Sequence, residues 1–378
     1  MRRRCDDPLP LATGARAPFP GVPMSDALSD PIFAVLLDSP PPPVDTAAAE
    51  ALVRDLWGIE GRAESLACER DANFRITTEA GPGYVLKVAN PAEAPATTAF
   101  QVEALRWLEG RSPALPVPRM VATRTGDFLA PLALADGRGS TVRLLSWVPG
   151  TPVARTGGAG PLADQIGTLA AQLGAGLAGF RHPASGHEIL WDIRHLPRLM
   201  PLLASLPAGA LRDQLQAEID HFAAAVAPRL PALRWQVVHN DLNHHNIVID
   251  PQAPGRIAGV LDFGDMVRTA RAIDVAVAAS YLTHLEEDPL APVARMVAAY
   301  AAVAPLDAAE VELLRDLIVA RLVASIAITE WRAARYPENA EYILRNNRGA
   351  RAGMAGFAAL PRETVTATLR AAAEEGVR

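Results

Sequence analysis

The sequence predicts an α+β chain of two lobes, an antiparallel sheet followed by a mostly helical body. Three observations carry this expectation. Short strand-like runs separated by Gly, Pro and Asp turns fill residues 63–148, with one helical stretch inserted after the third run. From Pro161 onward Ala, Leu and Val dominate at helical spacing. One strand-like interruption breaks that second half: VVHNDLNHHNIVID at 237–250, then GVLDFGD at 259–265.

Residues 1–44 are rich in proline, ending in Pro40-Pro41-Pro42-Pro43, and are expected to form a flexible extension outside the fold. Residues 1–23 hold five prolines and no amphipathic pattern, so Met24 is the expected start. Asp45 can cap a helix that runs through Trp57 and stops at Gly58. Strands are expected at 63–70, 74–78 and 84–89, the last after the turn Gly81-Pro82-Gly83. A helix at 94–109 ends at Gly110, and strands at 119–124, 128–134 and 141–148 complete an N-lobe of residues 45–148. Pro149-Gly150-Thr151-Pro152 and the glycines at 157–160 mark the crossing into a C-lobe of residues 149–378.

Composition narrows the function classes. A net charge of −6 and pI of about 5.8 imply no general affinity for nucleic acid. The two cysteines, Cys5 and Cys68, match no zinc spacing and read as free thiols in a reducing cytoplasm. The longest apolar helical run, 317–329, carries Arg321 and is too short to span a bilayer. Met1 to Arg4 is basic, but acidic residues and prolines follow in place of an apolar signal region. No repeat of fixed period occurs, and nothing speaks to oligomeric state.

The interruption in the helical half carries the chemistry. Ile247-Val248-Ile249 and the run 257–263, joined across Pro251–Gly255, read as a hairpin. That hairpin would hold Asp241 and Asn246 on the loop before it and Asp262 at its far end. His239-x-Asp241-x-x-x-x-Asn246, followed by Asp262-Phe263-Gly264, has the order and spacing of a kinase catalytic loop and its metal aspartate. One carboxylate can accept a hydroxyl proton while an amide oxygen and a second carboxylate hold Mg²⁺ against nucleotide phosphates. Two rivals use the same residues. His239, Asp241, His244, His245 and Asp262 are all metal-ligand types, which would suit a metallohydrolase; a catalytically silent nucleotide-binding module is the other.

Lys and Arg together number 36, and just one of them is lysine, Lys87. A single exception marks a position that needs a compact ammonium instead of a guanidinium fork. Lys87 lies in the strand-like run 84–88, where a kinase places its phosphate-gripping lysine. Its helix partner is expected to be Glu103, with Glu109 also bordering the apolar arc of 94–109. No GxGxxG precedes Lys87; Asn73 and the backbone of 69–75 stand where phosphates would be covered.

Together, the strand-rich lobe, the Lys87 strand, the HxDxxxxN loop, Asp262-Phe263-Gly264-Asp265 and the helical second lobe resemble the aminoglycoside phosphotransferase and choline kinase-like superfamily. The likeness covers roughly residues 45–360. Residues 69–75, Trp191-Asp192 and 263–267 look most like its hydroxylysine kinase branch. The resemblance implies a protein-kinase-like fold and transfer of a γ-phosphate from ATP, or GTP, to a small hydroxylated amine. It makes Asp241 the base, with His239 and Asp274 supporting the loop and Asn246 and Asp262 binding Mg²⁺. Lys87 paired with Glu103 would hold the phosphates, and Ser146-Trp147-Val148 would contact adenine. Where many relatives have Gly, this chain has Asn240.

The acceptor is less determined, because fold does not set substrate. Residues 181–198 and 330–348 mix both charge signs, which suits a zwitterion better than a polycation. Asp192 or Asp265 is the expected contact for its ammonium and Arg335 for its carboxylate. Trp191, with Trp331, Tyr336 and Tyr342, could instead cage a choline-like cation.

Overall fold

The computed structural model describes residues 40–378 apart from 69, 80 and 157–159. The proline-rich residues 1–39, and with them Cys5 and Met24, lie outside the described residues. Residues 40–44, expected in the same extension, touch the fold: Pro42 is buried, and Asn90 donates to the Pro40 carbonyl. Val44 packs against the N-lobe core, shielding part of it from water.

Asp45 accepts from the Ala48 N–H and Gly58 closes the helix at φ 73°, fixing α1 at Thr46–Trp57. The strands β1 (Arg62–Leu66), β2 (Ala72–Thr78) and β3 (Gly81–Val88) form an antiparallel meander. Gly81 and Gly83, expected in a turn, lie within β3; a Cβ on Gly83 would sit 2.3 Å from the Ile76 carbonyl oxygen. Next come α2 (Pro95–Arg111), β4 (Met120–Val121), β5 (Ala130–Ala133) and β6 (Gly139–Ser146). The sheet order is β1-β2-β3-β6-β4, with β5 also paired to β6. Phe74, Ile76, Leu86, Val88, Val142 and Leu144 make its core with α1.

α2 departs from the expected lobe boundary. Its Phe100, Leu105 and Leu108 join the core of the second lobe, Phe100 stacks on Phe180, and Trp107 donates to the Gly176 carbonyl. Burial of these large rings decides which way α2 faces.

The chain crosses through β7 (Thr151–Pro152), which adds to the hairpin β9 (Ile247–Asp250) and β10 (Ala253–Val260). α3 (Ala163–Leu177), a 3₁₀ stretch Ile193–Ser205 and α4 (Ala210–His221) precede β8 (Trp235–Val238). β8 pairs antiparallel with β11 (Val267–Ala270), a second strand pair that sequence pattern did not separate from the hairpin. Then follow α5 (Arg271–Ser280), α6 (Ala291–Val303), α7 (Ala308–Arg335), α8 (Ala340–Ile343), α9 (Asn347–Ala355) and α10 (Arg362–Val377). α7 is the central post of this lobe, opened by a reciprocal cap between Asp307 and Glu310. No described helix is long and apolar enough to cross a membrane.

Candidate active site

β8 delivers the chain to a turn at Asn240, whose φ of 64° is a left-handed conformation that glycine adopts most cheaply. The Asp274 carboxylate in α5 fixes this turn by accepting from the Asn240 N–H at 2.7 Å. Burial holds the His239 imidazole down at about 4, so it is neutral. Its Nδ1 accepts from the Asp241 N–H at 3.2 Å and its Nε2 lies 3.1 Å from the Leu261 carbonyl. His239 and Asp274 therefore grip loop backbone from two sides.

Asp241 is surrounded by donors. Arg321 Nη2 reaches its Oδ1 at 3.0 Å, while the Nδ2 groups of Asn243 and Asn246 reach Oδ2 at 2.9 and 2.8 Å. Burial, and then the negative charge of Asp265, push the Asp241 carboxyl up to about 7, against the pull of Arg321. Asn246 turns its amide nitrogen to Asp241, which leaves its carbonyl oxygen as the atom available to a cation. Across the cleft, Lys87 Nζ lies 3.0 Å from Asp262 Oδ1, and the ammonium holds Asp262 down at about 2. Asp262 itself has φ 54° and a half-exposed side chain. Lys87, Asp241, Asp262, Asp265 and Asn73 line one cleft between the lobes.

Several expected residues are placed elsewhere. Glu103 does not meet Lys87: α2 docks on the second lobe, so Glu103 faces out and lies 3.7 Å from His182. Gln101, one half-turn away, occupies the inward face, accepting from Arg143 and donating to the Gly264 carbonyl. Asp192 is fully buried, caps the 3₁₀ stretch through the Arg194 N–H and pairs with the Arg194 side chain at 2.8 Å. It is thus a structural carboxylate, pushed up to about 6 by burial, and does not line the cleft. Arg335 ends α7 beyond the cleft, exposed, with its guanidinium over Tyr336. Arg332 and Arg345 line the wall where Arg335 was expected.

Asn73 is the second residue of β2 instead of a loop residue, and its buried Oδ1 has no hydrogen-bond partner. In the crossover, the N–H groups of Ser146 and Trp147 are spent on the Arg119 and Gly83 carbonyls, and none of Ser146, Trp147 or Val148 lines the cleft. A Cβ on Gly259 would lie 2.4 Å from Val148, so the crossover passes directly over the hairpin. Of the aromatic residues, Trp191 and Tyr342 line the cleft, Trp331 is buried in the core, and Tyr281 joins the lining without having been anticipated.

Sequence reading missed Arg321, Gln101 and Arg143. The available signal was charge out of place: Arg321 in the apolar run of α7, and Arg143 in a strand between Val142 and Leu144. The metallohydrolase alternative fails on convergence. His239 faces the Leu261 carbonyl, His244 packs at a tilt against His245, and no group of three His, Cys, Asp or Glu is gathered for a metal among the described residues.

The comparisons agree with this geometry. A hydroxylysine kinase of Mus musculus is 29% identical over 326 residues, covering 80% of this chain and 86% of its own length. A homoserine kinase of Azorhizobium caulinodans is 29% identical over 290 residues, covering 72% and 83%. Among solved structures, a microcompartment-associated aminopropanol kinase superposes with a TM-score of 0.64 at 18% identity, covering 88% of this chain and 99% of that one. An amicoumacin kinase gives 0.62 at 16% identity, covering 82% and 94%. The family model described as "Phosphotransferase enzyme family" matches residues 67–314, spanning the Lys87 strand, the Asp241 loop and Asp262. With parts of both lobes and the whole 239–246 loop inside that match, which spans more than half of the chain, this chain belongs to the phosphotransferase enzyme family.

Proposed function

We propose that this protein transfers the γ-phosphate of a nucleoside triphosphate to the side-chain hydroxyl of a small zwitterionic amino acid, with 5-hydroxylysine the first acceptor to try. The observation that carries the reaction is the state of Asp241. An ionised carboxylate offers about four lone-pair sites; Arg321, Asn243 and Asn246 fill three, which leaves one for an acceptor hydroxyl. Asp241 then takes the hydroxyl proton as the acceptor oxygen attacks the γ-phosphorus, the bond to the β–γ bridging oxygen breaks, and nucleoside diphosphate leaves, with Lys87 binding phosphate oxygens. The Asp262 carboxylate and the Asn246 carbonyl oxygen suit Mg²⁺, a hard cation that takes oxygen ligands. Bound there, it would offset charge on the phosphates. The crossover residues Ser146, Trp147 and Val148 do not line the cleft and two of their N–H groups are already bonded, so they favour neither ATP nor GTP.

The acceptor reading rests on charge and on relatives. Acidic Asp265 and Glu93 and basic Arg332 and Arg345 all line the cleft, so it offers partners for both an ammonium and a carboxylate. Each cleft-lining ring already carries a guanidinium: Arg321 lies 4.8 Å from the Trp191 centroid and 5.8 Å from that of Tyr281, and Arg345 3.9 Å from that of Tyr342. A quaternary ammonium finds its cage occupied, which disfavours choline. Four curated relatives are named hydroxylysine kinases, and the homoserine kinase above makes homoserine the next candidate.

The test is kcat/KM for nucleoside-diphosphate release with hydroxylysine, homoserine, ethanolamine, choline and kanamycin, with ATP and with GTP. Hydroxylysine should lead. A tenfold lead for choline or kanamycin would sink the zwitterion reading. Asp241→Asn should lower turnover roughly 10²–10⁴-fold while nucleotide affinity stays near wild type.

A further inference from the structure

Arg321 belongs to this site without belonging to its motif. It sits in the middle of α7, 1% exposed, among Ala320, Leu322 and Val323. A guanidinium in such surroundings is costly unless paired; its Nε has no hydrogen-bond partner, so the two terminal nitrogens carry its bonding. Its bonds run in three directions. Nη2 donates to Asp241 Oδ1 and to the Tyr281 hydroxyl, both at 3.0 Å, and Nη1 donates to the Trp191 carbonyl at 3.0 Å. One planar group thus joins the catalytic loop, the residue that ends α5 and the segment leading into the 3₁₀ stretch.

We propose that Arg321 is a positioning residue for phosphoryl transfer. Asn243 and Asn246 occupy both lone pairs of Asp241 Oδ2, and Arg321 occupies one of Oδ1. Arg321 thus fixes the carboxylate with the remaining Oδ1 lone pair left for the acceptor hydroxyl, and it ties that carboxylate to the Trp191 wall. This rests on the reading of Asp241 as the base. Three fixed donors suit the task because a rigid fork sets the orientation of its partner as well as its distance. A displacement of about 1 Å at the reacting group can cost on the order of 10²-fold in rate.

The experiment compares Arg321→Gln, Arg321→Lys and Tyr281→Phe in the wild-type chain and in Asp241→Asn, in full steady-state kinetics with Mg²⁺ and nucleotide. Arg321→Gln should lower kcat about 10²-fold, with nucleotide KM and dissociation constant within about twofold. Arg321→Lys should recover part of that loss. In Asp241→Asn, Arg321→Gln should cost less than about threefold more, because the group it acts through is already gone. Equal losses in both backgrounds, or a raised acceptor KM with kcat intact, would overturn the inference. Tyr281→Phe removes one anchor of the same guanidinium while keeping the ring. Should Arg321→Gln not fold, a several-fold fall in kcat for Tyr281→Phe in the wild-type chain alone is the expected result, and no fall overturns the proposal. Wild-type turnover in Asp241→Asn would overturn the base assignment and this inference together. Loss in Asp241→Asn with none in Arg321→Gln would overturn this inference alone.

Discussion

Lys87 and Asp262 meet at 3.0 Å, and the pair shows what a compact ammonium does that a guanidinium fork cannot. Burial works against the Lys87 charge, Asp262 more than offsets it, and the pKa rises. Arg143 lies opposite Lys87 in the sheet and is already buried on Gln101, so a second guanidinium at 87 would crowd the first. Lys87→Arg should therefore lower kcat by about 10²-fold or more with melting temperature unchanged. Near-wild-type turnover would make the lone lysine an accident of composition. His239 offers a test of stability instead. Its folded pKa of about 4 lies below the ordinary histidine value of about 6.5. The unfolded chain thus binds the extra proton between those values, and stability from His239 is complete above pH 6.5 and lost as pH falls toward 4. The loss amounts to on the order of 3 kcal/mol. Melting temperature from pH 7.5 to 4.5 should fall more steeply in wild type than in His239→Gln; parallel curves would refute the assignment.

At the scale of an element, the loop at Asn240 depends on a left-handed turn as well as on the His239 and Asp274 side chains. Asn240 is fully buried at φ 64°, and both polar atoms of its amide lack a hydrogen-bond partner. The Asp274 bond to its backbone N–H needs that φ but no particular side chain. Asn240→Gly should fold at least as stably as wild type, and more stably than Asn240→Ala by about 1 kcal/mol, the cost of a Cβ in left-handed backbone. Urea midpoints of the three proteins would decide it. An alanine variant more stable than the glycine variant would show that the turn is not what limits this loop.

Across the whole molecule, polar ties between the two lobes run through the cleft itself. Gln101 links Arg143 of the sheet to the Gly264 carbonyl, and Lys87 links to Asp262. Nucleotide that bridges the lobes should stabilise the fold by mass action, about 2.7 kcal/mol at a hundredfold excess over Kd. Magnesium should add to the shift in melting temperature for wild type and add little for Asp262→Asn. An equal magnesium increment in that variant would place the cation elsewhere.

What the sequence determined by itself was everything local or fixed by spacing. Asp45 and Gly58 bound α1, strand patterning yields the N-lobe meander, and HxDxxxxN with Asp262-Phe263-Gly264 points to the loop and facing aspartate on which the proposed site is built. These features are readable because a cap, a period or a loop length acts over a few residues. Tertiary structure decided the rest. Glu103, Asp192 and Arg335 had the right chemistry, but the packing of α2, the burial of the 3₁₀ stretch and the length of α7 turned each away from the cleft. The same packing brought in Gln101, Arg143 and Arg321, which no motif contains. Arg321 lies 80 residues from Asp241. Contacts at that separation depend on how helices dock, and docking follows the sum of many buried apolar side chains, which no short stretch of sequence encodes.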